Sequence, residues 1–430
     1  MPNRSDAPHL LLLLSFLPLL ACAGAGGAKD AAEDTAADDT SVDTAVDTAP
    51  PTDEEQTAAD LKTVEAMIAG ALGLTEGMLT VSLSGGWPIH LGGDDYLFAA
   101  PAQGRESLAV AGDFNGWTPA DMALEGELYT LTVSIPAPEG KLYKLVEGEA
   151  YAADPWSRAY GQDEFGEHSL VRGAGRHLER YYIRGGTLDD RWMRVWVPPG
   201  EVTHTLYVHD GQNLFDPEAM WGGWRLHERL GPNTMAVGLD NTMARMDEYT
   251  HVQDFIYGEW MGGKGDAYAE LWMNTVRPLV REQYGEGDTV GIMGSSLGGL
   301  ISVHFAQLHP EELDFVASLS GTLGWGSIGA ENETLIERVS AGGFTGVPIY
   351  LDSGGEPGEG CVDTDKDGLL DDSPDASDNY CETRQMADTL SAAGWTWEQN
   401  LWHWWEAGAE HNEAAWADRV AMPVGLFESL

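Results

Sequence analysis

Residues 288–308 read DTVGIMGSSLGGLISVHFAQL. An apolar run ends in two adjacent serines set between glycines, and a second apolar run with helical spacing follows. Gly294-Ser295-Ser296-Leu297-Gly298 satisfies the spacing G-x-S-x-G only with Ser296 at the centre. In that spacing a strand bends sharply into a helix, and a side chain two positions before or after the serine would collide at the bend. Ser296 is therefore the candidate nucleophile, and Ser295 occupies an x position. Glycine is abundant here, 53 of 430 residues, so the spacing gains its weight from the strand before it and the helix after it.

Outward from this stretch, the chain from about residue 178 alternates apolar strands with helical segments. WMRVWVPP, HTLYVHDG, TMAVGLDN, DTVGIMGSS, FVASLSG, VPIYLDSGG and TWEQNLWHWW read as strands. Helical segments fall between them, among them AYAELWMNTVRPLVREQYG, CETRQMADTLSAAG and EAAWADRVAMPVGLF. Repeated βα units whose strands are apolar on both faces predict an α/β fold, a mostly parallel sheet with helices on both faces, over residues 178–430. From Tyr96 to Arg172 the pattern is different: short strands (YLFAAPA, SLAVAGDF, LYTLTVSIP, LYKLVEG, HSLVR) separated by Gly, Pro and Asp turns. This predicts a small all-β, immunoglobulin-like sandwich over residues 61–177, led by a helix over ADLKTVEAMIAGALG.

The formal charge is −47, which argues strongly against nucleic acid and anionic lipid surfaces as partners. Residues 30–60 hold 11 acids and no base. Together with the small, threonine-rich composition of residues 22–60 this predicts a disordered acidic linker. Ahead of it, one arginine and the run HLLLLLSFLPLLA form an apolar segment too short to span a bilayer and typical of a secretory signal. Leu19-Leu20-Ala21-Cys22 resembles the bacterial lipobox. Residues 1–21 are thus expected to be a lipoprotein signal peptide and Cys22 the lipidated N-terminus, which makes the lipid anchor the sole membrane contact and the cell envelope, outer membrane or cell surface, the expected location. The other two cysteines, Cys361 and Cys381, are then the expected disulfide of an oxidising compartment.

AGDFNGWTP (111–119) and YKLVEGEAYAADP (143–155) resemble the early-set domains that precede glycogen-branching and isoamylase-type enzymes. The sugar-stacking positions of the glycogen-binding members correspond to Trp117, Lys144 and Tyr151, with tyrosine where binders present tryptophan. A structural role beside the following domain is therefore the expectation. LYVHDGQNLFD (206–216), WRLHERL (224–230), AVGLDNTMARMDEYT (236–250), residues 291–321 and GAEHNEAAWADRV (408–420) resemble the α/β-hydrolase esterase family that includes esterase D, enterochelin esterases, feruloyl and acetylxylan esterases and the mycolyl transferases.

The resemblance implies a serine esterase that needs no cofactor for catalysis. A serine hydroxyl is a weak nucleophile until an imidazole accepts its proton, and the family's histidine corresponds to His411. His304 and His403 sit within helix and strand patterns and read as packing residues. The acid is expected just past VPIYLDS, at Glu356 or Asp352, and the family's G-x-E or G-x-x-E loop favours Glu356. Leu297, directly after the nucleophile, supplies one oxyanion N–H; the resemblance assigns the other to Gln212. The expected substrate is an ester of a carbohydrate or another secreted small molecule. A siderophore trilactone, acyl transfer to an alcohol, or a non-catalytic carbohydrate-binding lipoprotein are the alternatives.

An acidic insertion, residues 357–381, contains the two cysteines, and its acids lie chiefly between them. Asp363, Asp365, Asp367, the Leu369 carbonyl and Asp371 match the opening of a D-x-D-x-D-G calcium loop. Pro374 stands where an EF-hand has glutamate, so the segment resembles thrombospondin type 3 or dockerin repeats more closely. A structural calcium at the rim is the expectation.

Overall fold

Eight strands carry the architecture that the βα alternation predicts: β1 (His177–Ile183), β2 (Arg191–Val197), β3 (His204–His209), β4 (Thr234–Leu239), β5 (Thr289–Ser295), β6 (Phe315–Leu319), β7 (Ile349–Ser353) and β8 (Leu401–Trp405). Across the sheet their order is β1-β2-β4-β3-β5-β6-β7-β8. β2 is antiparallel to both β1 and β4, and the strands from β4 to β8 pair in parallel. Every residue of β4, β6 and β7 is buried, as expected for strands covered on both faces. This computed structural model describes residues 52–342, 344, 346–356, 360–371 and 378–430. The expected signal peptide, Cys22 and the linker up to residue 51 lie outside the described residues.

The register of the parallel strands positions the chemistry. Ser295 pairs with Leu319, Leu319 with Asp352, and Asp352 with Trp404. One row thus crosses the C-terminal ends of β5, β6, β7 and β8, and the residues just beyond it leave the sheet on the same edge. Loops at this edge of an open α/β sheet are where such folds gather their reactive groups.

The predicted sandwich is present. One sheet is built from Ile89–Gly92, Asp95–Pro101, Leu128–Ser134 and Ala123–Glu125. Its partner strands, Ala159–Asp163, Gly166–Leu170, Leu142–Glu147, Ala109–Gly112 and Ala120–Asp121, continue the large sheet beyond β1. Between the layers lie Tyr96, Phe98, Val110, Tyr143 and Val171, with Phe98 edge-on to Tyr143 at 5.0 Å. β1 pairs on one side with β2 and on the other with Ala159–Asp163, so the sandwich and the α/β layer share backbone hydrogen bonds across residue 177.

At the N-terminal end the structure departs from the expected linker. A helix runs over Asp53–Ile68 and a second over Leu74–Leu83, so residues 53–60 are helical. Asp53, Glu54 and Glu55 fill the first turn, where negative charge meets the positive end of the helix dipole. Val64 and Met67 then pack with Met78, Val81 and Trp87, and burying such side chains contributes roughly 1.5–3 kcal/mol each.

Candidate functional site

Ser296 sits between β5 and the helix Leu297–Leu308 with φ 57° and ψ −125°. A non-glycine residue in this region stores about 1–3 kcal/mol and persists only where its surroundings over-determine it. Here they do. A Cβ on Gly294 would lie 2.6 Å from the Gly298 carbonyl group, and one on Gly299 would lie 2.4 Å from Ser318 Oγ. The Ser296 amide donates to the Leu319 carbonyl at 2.9 Å, and its carbonyl accepts from Thr322 N at 3.2 Å. Its hydroxyl lies 3.5 Å from Thr322 Oγ1. Leu297 opens the helix, the position at which a backbone N–H has no partner within the helix.

Gln212 belongs to a short turn, Gly211–Asn213, that follows β3. Asp210 enters it with φ 59°, held by a two-pronged contact from Arg245 at 2.8 Å on each oxygen and by Asn241 Nδ2 at 2.6 Å. Burial pushes the Asp210 carboxyl up, yet Arg245 and Asn241 outweigh it and hold it below its ordinary value. A Cβ on Gly298 would lie 3.3 Å from Asp210 Oδ2, so this turn packs directly on the first turn of the helix after Ser296. Gln212 Oε1 accepts from Asn241 N at 3.0 Å, which ties the turn to the segment that follows β4. Asn213 Nδ2 donates to Glu413 Oε1 at 3.0 Å, joining the turn to the segment that carries the histidine.

His411 lies in the loop after β8, one residue before Asn412, which caps the helix Glu413–Arg419 by accepting from Ala415 N at 3.0 Å. Its ring meets Trp416 edge-on at 5.0 Å, and its Nδ1 is 2.5 Å from Asp378 Oδ1. Asp378 is 1% exposed. Its other oxygen accepts from Ser320 Oγ at 2.7 Å and from the Gly354 amide. Asn379 follows with φ 58° and ties this corner to the loop after β6, donating to the Ser320 carbonyl at 2.8 Å.

The expected acids are both displaced by this arrangement. Glu356 is exposed, and the carboxylate on His411 belongs to Asp378. Asp352 is fully buried on β7, accepting from Arg419 Nη2 and Tyr350 Oη, each at 3.1 Å. The physical reason is the insertion: the chain leaves β7, runs out through the acidic loop, and returns with Asp378 just before the helix Tyr380–Ala392. A carboxylate at the far end of the insertion thereby reaches the histidine. A disulfide joins Cys361 to Cys381, with Cα atoms 5.4 Å apart, and closes the base of that excursion.

Of the expected calcium ligands, Asp363, Asp365 and Asp371 bring carboxylate oxygens within 4.8 Å of one another. Asp367 turns elsewhere, accepting from Ser327 Oγ at 2.8 Å, and its other oxygen accepts from the Leu369 amide at 2.8 Å. On the sandwich, Trp117 and Tyr151 are exposed, whereas Lys144 is buried and donates to the Phe165 carbonyl at 2.9 Å. Its ammonium is therefore committed internally. His304 is buried against Asp266 at 2.8 Å, and burial pushes His403 down to about 4, the behaviour of neutral packing residues.

Ser320, Arg419 and Asp378 are members of this site that the sequence motifs do not single out. The one sequence signal for Asp378 is its position, directly ahead of a helical segment and three residues before Cys381.

Solved structures to which the chain is similar include the enterobactin esterase of Shigella flexneri, 14% identical, covering 79% of this chain and 95% of that chain with a TM-score of 0.43. A siderophore hydrolase of Aspergillus nidulans is 17% identical, covering 58% of this chain and 94% of that chain with a TM-score of 0.44. An IroE-like serine hydrolase of Shewanella oneidensis is 17% identical, covering 59% and 80% with a TM-score of 0.44. Likenesses this distant carry nothing about substrate. Over 150 residues the chain is 27% identical to the uncharacterized protein YbbA of Bacillus subtilis, an alignment covering 31% of this chain and 57% of that protein's length. Residues 190–424 match the family described as "Putative esterase", a span from β2 to the last helix that includes Ser296, Asp378 and His411. The chain belongs to that family.

Proposed function

We propose that Ser296, His411 and Asp378 form the catalytic triad of a serine esterase acting on a carbohydrate ester or another secreted small-molecule ester at the bacterial cell envelope. The observation that carries the assignment is the contact between His411 Nδ1 and the buried Asp378, on the same sheet edge as Ser296. Ser296 Oγ attacks the ester carbonyl while His411 Nε2 takes its proton. Asp378 holds the imidazole in the tautomer with hydrogen on Nδ1 and stabilises the imidazolium. The backbone N–H groups of Leu297 and Gln212 receive the oxyanion, each worth about 3 kcal/mol in the transition state. The proton then passes from His411 to the leaving alcohol, and water, activated by the same imidazole, releases the acid from the acyl-enzyme.

In this reading Cys22 bears the lipid that holds the enzyme at the envelope, and the acidic loop binds a structural calcium through Asp363, Asp365 and Asp371. The test is a panel of p-nitrophenyl, feruloyl, acetyl-sugar and trilactone esters given to the full chain and to Ser296→Ala. Turnover of an acetyl or feruloyl sugar ester, abolished by the substitution, is the expected result. Preference for the trilactone would move the substrate to siderophores. Release of a transferred ester in place of free acid would make the enzyme an acyl transferase. Activity surviving in Ser296→Ala would overturn the nucleophile.

A further inference from the structure

Behind the Asp378 carboxylate lies a second, fully buried carboxylate, Asp352, that takes no part in the proton transfers of the triad. Asp352 and Asp378 approach the same arginine. Arg419 Nη2 is 3.1 Å from Asp352 Oδ1, 3.7 Å from Asp378 Oδ2 and 2.7 Å from Ser320 Oγ. Ser320 Oγ also accepts from Trp416 Nε1 at 3.0 Å. A serine hydroxyl has two acceptor lone pairs and one hydrogen. Arg419 and Trp416 can only donate, so together they take both lone pairs. The single hydrogen of Ser320 is left with one direction, toward Asp378 Oδ2 at 2.7 Å. With Gly354 N donating to that same oxygen, Oδ1 is the atom left free for His411.

We propose that Ser320 and Arg419 are positioning residues for the Asp378 carboxylate, and that Asp352 orients them by fixing the Arg419 guanidinium. Among the described residues, Nε and Nη1 of Arg419 have no hydrogen-bond partner. Among these residues the guanidinium is held through Nη2, and losing the Asp352 charge frees it to swing onto Asp378 and compete with His411. The groups facing Asp352 are Arg419 from the last helices, Asp378 from the insertion and Tyr350 on its own strand. Burial, the largest influence, raises Asp352 to about 6, so its charge, and with it the hold on Arg419, is present only above that range. The Arg419 guanidinium stays protonated throughout.

The inference rests on the triad assignment, which Ser296→Ala and Asp378→Asn test separately. Its own test is the pH dependence of kcat/KM for a short-chain activated ester in wild type, Asp352→Asn and Ser320→Gly. Glycine is chosen at position 320 because its φ is 48°, which glycine adopts without strain. Asp352→Asn is expected to lie about tenfold below wild type at pH 8, the loss of one positioning contact, and to converge with it as pH falls below about 6. Ser320→Gly should lower kcat about tenfold with KM unchanged. A wild-type to Asp352→Asn ratio that stays constant across pH would reduce Asp352 to a packing role and overturn its part. Full kcat in a folded Ser320→Gly would overturn the positioning as a whole, and it decides the matter even if the asparagine variant does not fold.

Discussion

His411 and Asp378 meet at 2.5 Å although the strand that brings the acid to this edge, β7, ends at Ser353. The acid has been carried away from its strand by the insertion and returned by it. Asp378→Asn should therefore lower kcat by about 10⁴, since the imidazole loses the group that fixes its tautomer. Glu356→Gln, at an exposed position, should stay within about twofold. The two variants assayed side by side on one activated ester check this, and the reverse ranking would return the role to Glu356.

The elbow makes a prediction independent of the triad. Because a Cβ on Gly294 would meet the Gly298 carbonyl group at 2.6 Å, Gly294→Ala must push β5 and the following helix apart. Ser296 then leaves its left-handed conformation, and both the nucleophile and the Leu297 N–H move. Loss of kcat by more than about 100-fold is expected, given the cost of misplacing reacting groups by an ångström, while Ser295→Ala stays within a few fold. Wild-type turnover in Gly294→Ala, measured on a variant confirmed folded by near-UV circular dichroism, would contradict the crowding.

Much of this was legible from residue pattern. The seven strand segments read from the sequence all appear, because strands buried on both faces are continuous apolar runs and the helices between them carry a 3.6-residue period. Ser296 was legible because the steric demand on Gly294 and Gly298 is local. The acid was not. Its partner relation with His411 spans 33 residues and depends on where a long loop returns, which no local spacing encodes; Glu356 merely occupies the expected G-x-E context, as Gly354-Gly355-Glu356. The helix over residues 53–60 was missed for a different reason. Its acidic composition matches disorder, and what stabilises it is the packing of Val64 and Met67 further along.

The disulfide should matter to catalysis as well as to stability. Cys361 and Cys381 are 20 residues apart, a closure worth about 3 kcal/mol in the chain-entropy model, and Asp378 lies inside the closed loop. Cys361→Ser with Cys381→Ser is expected to lower Tm and to cut kcat severalfold with little change in KM, because the acid, and not the substrate contacts, gains freedom. Calorimetry and steady-state kinetics on the double variant check both. Undiminished kcat in the folded double variant would mean that Ser320 and the Gly354 amide suffice to hold Asp378.

Calcium should act on the same loop without touching the chemistry. A cation taken up by Asp363, Asp365 and Asp371 stabilises the folded chain by mass action. Millimolar calcium is expected to raise Tm in wild type and to leave it unchanged when those three residues are replaced together by alanine, with turnover surviving chelation. Equal shifts in both proteins would make the loop a solvated acidic excursion, and loss of turnover on chelation would bring the metal to the reaction.

Asp352 also gives the protein a pH-dependent stability with a definite sign. Burial raises its carboxyl from 3.8 to about 6, against the opposing pull of Arg419 and Tyr350. Between those two values the folded chain keeps a proton that the unfolded chain has released. The contribution of that proton is therefore full below about pH 3.8 and lost as pH rises through about 6, a change on the order of 3 kcal/mol by linkage. Asparagine at 352 has no proton to lose. The stability of Asp352→Asn relative to wild type should accordingly improve by up to that amount between pH 4 and 7, read from urea unfolding at several pH values so that other titrating groups cancel in the difference. A flat difference would mean that the Arg419 ion pair holds Asp352 near its ordinary value. In that case its charge would persist to low pH, and the convergence of wild type and Asp352→Asn kinetics would shift downward with it.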